Sequence, residues 1–270
     1  MTMPYRAERA AFLEFSHELA RAAGAAALPL FRNCQQVEDK PGKTGYDPVT
    51  QADRAAEQAM REMIRARYPS HNIKGEEFGF EDNGSDLTWV LDPIDGTRSF
   101  ILGMPVWGTI IGLMWRGHAI AGVMSQPYIG EIFSGDGVEA RLLTAQGETA
   151  LKVRACEALE DAVLATTDPR LFEQADERAA FAALEPLVRM SRYGGDCYFY
   201  AMLAAGQIDL VVETGLADYD IAGLIPIVEG AGGIVTDWEG ASAVGGGRII
   251  AAGSAALHQQ AMELLRGPGA

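Results

Sequence analysis

The sequence predicts a layered α/β fold of two subdomains, residues 1–150 and 151–270. Three observations predict it. The N-terminal stretch carries apolar positions at helical spacing, and residues 71–153 break into short apolar runs divided by turn residues. The remainder alternates strand-like with helix-like segments.

In order, Phe12, Phe15, Leu19 and Ala23 repeat with a helical period within residues 7–31. A loop rich in charge and glycine follows over residues 38–47. Thr50-Gln51-Ala52-Asp53 reads as a capped helix start; Ala56, Met60, Met63 and Ile64 continue one face, and Pro69 ends the helix. Residues 109–114, 119–124 and 131–134 read as strands of a large antiparallel sheet, with turns at Gly117 and at Gly135-Asp136-Gly137. In the second half, strands are expected at 162–166, 188–192, 209–213, 233–237 and 248–251. Helices are expected at 171–188, 197–205, 219–231 and 255–265.

A chain of 270 residues can bury roughly three quarters of its unfolded surface. Hydrophobic residues at 48% with 22% charged fit a soluble globular protein. The net charge of −15 repels nucleic acid and anionic membranes, so neither is an expected partner. Three cysteines, Cys34, Cys156 and Cys197, show no C-x-x-C spacing, which points to buried thiols in a reducing compartment. Four histidines (His17, His71, His118, His258) are scattered without H-E-x-x-H, which disfavours zinc. The apolar stretch 22–30 is short and follows Glu8, Glu14, Glu18 and Arg21, wrong for a signal peptide or a span. The expected location is cytoplasmic.

The most informative stretch is Val90-Leu91-Asp92-Pro93-Ile94-Asp95-Gly96-Thr97-Arg98-Ser99-Phe100. An apolar run delivers two carboxylates three residues apart. Pro93 stiffens the turn, and Gly96 opens a helix or tight turn at Thr97. Carboxylates hold Mg²⁺-like ions, and the backbone N–H groups after Gly96 can receive phosphate oxygens. Taken alone, Asp92 and Asp95 also fit ordinary turn residues. Two further acidic clusters weigh against that: Gly75-Glu76-Glu77 upstream, and Tyr219-Asp220-Ile221-Ala222-Gly223 downstream. Gly42-Lys43-Thr44 is not a P-loop, because the required earlier glycine is Val37. A D-x-D nucleophile is also absent, Pro93 standing two before Asp95.

G-E-E, D-P-I-D-G-T and D-x-A-G in this order resemble the inositol monophosphatase superfamily of Mg²⁺-dependent phosphomonoesterases, over nearly the whole chain. Arg98-Ser99-Phe100, Pro105-Val106-Trp107-Gly108-Thr109 and Arg192-Tyr193-Gly194-Gly195-Asp196-Cys197-Tyr198 look most like its histidinol-phosphate phosphatase branch. The resemblance implies an α-β-α-β-α sandwich of the inositol monophosphatase / fructose-1,6-bisphosphatase type, commonly a homodimer. It implies two or three Mg²⁺ ions, with Mn²⁺ as a substitute, held by Glu76, Asp92, the Ile94 carbonyl, Asp95 and Asp220. Gly96 and Thr97 would meet phosphate. Thr97 and Asp53 would orient the attacking water, although Asp53 equally fits a helix cap beside Thr50. Lys43 would sit in a loop near the metals, though a surface lysine explains it as simply.

By the same resemblance Asp196 and Glu213 line the pocket for the alcohol, and Arg192, a third substrate-binding candidate, would contact phosphate or hold Asp196 in place. Paired carboxylates suit a cationic alcohol such as histidinol better than neutral inositol. Asp196 alternatively caps a helix. The expected function is hydrolysis of a small phosphate ester, L-histidinol phosphate first. The alternatives are an inositol-phosphate or broad sugar-phosphate phosphatase, and a metal- and phosphate-binding protein without turnover.

Overall fold

The computed structural model of this chain describes residues 8–33, 37–39 and 48–267. Lys43 and Cys34 lie outside them. The N-terminal half runs α1 (Arg9–Ala27), β1 (Val37–Asp39), β2 (Pro48–Thr50), α2 (Gln51–Arg67), β3 (Asn72–Gly75), β4 (Gly79–Glu81) and β5 (Leu87–Asp95). It continues through α3 (Thr97–Ile101), β6 (Gly108–Trp115), β7 (His118–Gln126), β8 (Glu131–Gly135), β9 (Ala140–Thr144) and β10 (Gly147–Ala150). Then follow β11 (Val163–Thr166), α4 (Ala175–Leu184), β12 (Met190–Tyr193), α5 (Asp196–Ala204) and β13 (Leu210–Leu216). The chain closes with α6 (Asp218–Ile221), α7 (Ile225–Gly230), β14 (Ile234–Asp237), β15 (Gly247–Ala252) and α8 (Ala255–Leu265).

These elements stack in five layers. α1 and α2 cover one face of an eight-stranded sheet ordered β10-β9-β8-β7-β6-β5-β3-β4. α5 and α7 fill the space between it and a five-stranded sheet ordered β12-β11-β13-β15-β14. α4 and α8 cover the far face. The larger sheet is mixed rather than wholly antiparallel, because β3 pairs parallel to β5. Successive residues of β6 serve both faces. Ile111 packs with Phe15, Leu19, Met60 and Trp89 under the outer helices, while Ile110 packs with Tyr200, Val211 and Val228 between the sheets. Burial on both faces explains why these strands read as unbroken apolar runs. No helix among the described residues is long and apolar enough to cross a membrane.

Two expected helices are shorter than their periodicity suggests. Residues 171–188 contain α4 flanked by 3₁₀ turns at Pro169–Leu171 and Glu185–Leu187. Pro186 lacks the N–H that would continue α4. Residues 219–231 form α6 and α7 separately, because Pro226 cannot donate back across the break and Gly223 is drawn onto the sheet.

That contact places the last acidic motif. Gly112 and Gly122 are cross-strand partners in β6 and β7. A Cβ on Gly122 would lie 1.9 Å from the Gly223 carbonyl oxygen, and one on Gly112 would lie 3.0 Å from the Ala222 carbonyl carbon. A Cβ on Gly223 would meet the Ile111 carbonyl oxygen at 2.8 Å. The backbone after Asp220 therefore rests directly on the sheet, beside the end of β5. Gly122→Ala is expected to destabilise by roughly 1–3 kcal/mol through overpacking. Gly245→Ala, with nothing within 4 Å, should stay within about 0.5 kcal/mol of wild type; urea unfolding midpoints check both.

Candidate metal and phosphate site

Asp92 and Asp95 are three apart, so an ideal strand would send them to opposite faces. The β5–β6 register shifts between them, and Pro93, which has no N–H to pair, sits in the irregularity. The Thr109 hydroxyl pins the bulge by donating to the Pro93 carbonyl at 2.8 Å. Both carboxylates thereby turn toward α6. One carboxylate oxygen each from Asp92, Asp95 and Asp220 lies within 4.8 Å of the others.

Backbone N–H groups orient all three. Asp92 Oδ1 accepts from Ile94 at 3.1 Å, Asp95 Oδ2 from Cys197 at 2.6 Å, and Asp220 Oδ2 from Ala217 at 2.6 Å. Glu76 stands beside this trio: its N–H continues the β3–β5 ladder to the Leu91 carbonyl at 3.1 Å. Lys74 and Asp218, each two residues before an acidic group, form an ion pair that ties the two segments together.

The trio is electrostatically frustrated. Burial first, then the charges of Glu76, Asp95 and Asp220, pushes the Asp92 carboxyl well above the ordinary range. Burial, then Asp196 and Asp220, does the same to Asp95. Converging carboxylates with raised proton affinity are the donor set of a hard divalent cation, and all-oxygen ligation favours Mg²⁺ or Mn²⁺ over softer metals. The residues present fit such an ion.

Gly96 follows in the left-handed conformation, φ +82°, and starts α3. The Thr97 hydroxyl donates to the Ile94 carbonyl at 3.1 Å and faces Asp53 Oδ1 at 3.5 Å. Asp53 is fully buried. Its other oxygen accepts from the Thr50 N–H at 2.8 Å and the Thr50 hydroxyl at 2.6 Å, so Asp53 both caps α2 and reaches Thr97. Burial raises its pKa to about 6 against the opposing effect of the Thr50 bonds.

Next to the trio lies a cavity of about 460 Å³, within the range of small-ligand sites. Asp95, Gly96, Thr97, Asp220, Asp196 and Glu213 line it. Glu213 is buried; its Oε1 accepts from the Thr167 N–H at 2.7 Å and hydroxyl at 3.0 Å. Its Oε2 has no partner among the described residues, and burial raises its pKa to about 8. Asp196 does not cap α5 with its side chain. That carboxylate accepts from the Ser99 hydroxyl at 2.7 Å, and Asp95 receives the N–H at the start of the helix instead. Asp196 has φ +44°, a conformation that Asp and Asn tolerate better than other side chains.

Arg192 is exposed on edge strand β12 and does not line the cavity. The far wall, which includes Thr167, Leu171, Glu173, Gln174 and Glu177, was not read from the sequence. It comes from a 3₁₀ turn, an irregular stretch and the first turn of α4, without a motif. Its one local signal is Pro169 in a turn.

The inositol monophosphatase family model matches residues 8–267. A protein of Arabidopsis thaliana named bifunctional phosphatase IMPL2, chloroplastic, is 42% identical over 94% of this chain and 75% of its own length. The histidinol-phosphatase of Chlorobaculum parvum is 33% identical over 90% of this chain and 92% of its own. A solved inositol monophosphatase from Zymomonas mobilis superposes with a TM-score of 0.82 at 37% identity, covering 98% of this chain and 99% of its own.

Raised carboxyl pKa values favour the fold at low pH and lose that contribution as pH rises from about 4 through the folded values. At one fixed concentration Mg²⁺ is therefore expected to raise the melting temperature more at pH 8 than at pH 5.5; where that concentration is a hundred times its Kd, the stabilisation amounts to about 2.7 kcal/mol. Asp92→Asn should melt higher than wild type in EDTA and lose the Mg²⁺ response. An unchanged Mg²⁺ response in Asp92→Asn would remove Asp92 from the ion site.

Proposed function

This chain belongs to the inositol monophosphatase family of phosphoric monoester hydrolases, and we propose that it hydrolyses L-histidinol phosphate to L-histidinol and phosphate. The observation that carries the substrate is the charge of the cavity wall. Six carboxylates line it (Asp95, Glu173, Glu177, Asp196, Glu213, Asp220) against one basic residue, Arg98. Cations held by Asp95 and Asp220 leave Asp196 and Glu213 facing the alcohol. A buried, half-satisfied Glu213 is a poor neighbour for a neutral polyol and a good one for an ammonium group. The 33% identity to a histidinol-phosphatase agrees with this.

In this reading Glu76, Asp92, Asp95, Asp220 and the Ile94 carbonyl hold two or three Mg²⁺ ions, or Mn²⁺. Such ions, when bound, neutralise phosphate oxygens and make a coordinated water more acidic. The backbone N–H groups of Gly96 and Thr97 receive phosphate. The Thr97 hydroxyl orients the attacking water, and Asp53 accepts the proton passed through it. A carboxylate with pKa about 6 is suited to that exchange near neutral pH. Arg192 has no part in this reading. A homodimer accompanies it, to be read by sedimentation equilibrium. A second reading, hydrolysis of inositol phosphates, is favoured by the 37% identity to an inositol monophosphatase.

Asp196→Asn keeps the backbone conformation and an acceptor for Ser99 while removing the charge. It should lower kcat/KM for L-histidinol phosphate about 10- to 100-fold, the worth of a charged hydrogen bond, and change turnover of myo-inositol 1-phosphate little. Equal losses on both substrates would refute cation recognition. Glu213 must release its proton to receive a cation. KM for histidinol phosphate should therefore fall as pH rises from 6.5 toward about 8, and Glu213→Gln should flatten that slope.

A further inference from the structure

The buried face of α2 carries Asp53, Glu57 and Arg61 at four-residue intervals, one above the other. Apolar residues would ordinarily fill such a face. Glu57 is fully buried and Arg61 nearly so. Glu57 Oε2 accepts from the Glu77 N–H at 2.7 Å, and Oε1 accepts from the Phe78 N–H at 3.2 Å and from Arg61 Nε at 2.7 Å. Arg61 also donates to the Gly79 carbonyl and lies over the Phe78 ring at 5.9 Å. Outside its own helix, these bonds of Glu57 all go to the backbone of the turn between β3 and β4.

The glycine of the first acidic motif belongs to the same device. A Cβ on Gly75 would lie 1.9 Å from Glu57 Oε1, so only glycine leaves room for this carboxylate. A buried ion pair is weak evidence of stabilisation in itself. Here it supplies acceptors at a fixed place for two N–H groups that an apolar side chain would leave unmatched. The residue between Gly75 and Glu77 is Glu76, whose N–H donates at 3.1 Å to the carbonyl of Leu91, the residue before Asp92.

We propose that Glu57, compensated by Arg61 and admitted by Gly75, is a positioning residue that fixes the Glu76–Glu77 turn for metal binding. The inference rests on the reading of the neighbouring carboxylates as an ion site. Asp53 and Glu57, one helical turn apart, thus tie α2 to both sides of that site. Outer partners of this kind change metal affinity about 10- to 100-fold when altered.

Mn²⁺ binding to metal-stripped protein, followed by electron paramagnetic resonance without substrate, reads this directly. Glu57→Gln keeps shape but opposes a donor to a donor. It should weaken Mn²⁺ binding about 10- to 100-fold and raise the Mg²⁺ needed for half-maximal activity in proportion, with kcat at saturating metal largely kept. Gly75→Ala, which displaces the same carboxylate from the other side, should do likewise and serves if Glu57→Gln does not fold. Ile64→Val, in the core of the same helix, should lower the melting temperature and leave Mn²⁺ affinity unchanged. Folded Glu57→Gln or Gly75→Ala with wild-type Mn²⁺ affinity would overturn the inference, as would an equal loss in Ile64→Val. Wild-type protein that binds no Mn²⁺ would overturn the ion site itself, and this inference with it.

Discussion

The constraint on which the rest of the structure depends is the burial of like charges. Asp92 sits at the bottom of the site, nearly without solvent contact, among Asp95, Asp220 and Glu76. Carboxylates do not gather in a low-dielectric place of their own accord. The fold forces them together by a bulge in a central strand, by backbone N–H groups aimed at one oxygen of each, and by an ion pair between Lys74 and Asp218. A metal ion bound there would relieve the frustration so stored, and its binding would then contribute to stability.

The scaffold around the cluster is organised by close approach. Gly112, Gly122 and Gly223 let one backbone lie on two strands, and that contact sets the height of Asp220 above β5. Gly75 does the same for a carboxylate instead of a backbone. Each glycine removes a methyl group where a charged residue must be placed to within a fraction of an ångström. α2 plays the complementary part. It is amphipathic in the ordinary sense through Ala56, Met60 and Ile64, yet it turns Asp53, Glu57 and Arg61 inward as well.

Motifs confined to one turn were legible in the sequence. The three acidic clusters, their order, the capped start of α2 and the strand that feeds Asp92 all follow from short-range pattern, and the structure brings Asp92, Asp95 and Asp220 together. What was not legible depends on partners distant in sequence. That Asp95 receives the N–H of Cys197, and Asp196 the hydroxyl of Ser99, decides between a helix cap and a cavity wall for Asp196, and spacing carries no trace of it. Glu57 and Arg61 stand four apart on α2 in no recognisable motif, and the packed turn that buries them lies about twenty residues further along the chain. The resemblance implied Arg192 as a substrate residue, but it stands exposed on edge strand β12 and is not among the residues that line the cavity.

The division of labour among carboxylates that we propose has Asp92, Asp95 and Asp220 holding ions while Asp196 and Glu213 read a cationic alcohol. A crystal structure of the protein with L-histidinol phosphate and Ca²⁺, in place of the activating metal, tests it most directly. Ions are expected between Asp92, Asp95 and Asp220, phosphate against Gly96 and Thr97, and the substrate ammonium within hydrogen-bond distance of Glu213 Oε2 or the Asp196 carboxylate. Phosphate seated without an ion at the trio, or an ammonium turned out to solvent with both carboxylates untouched, would contradict it.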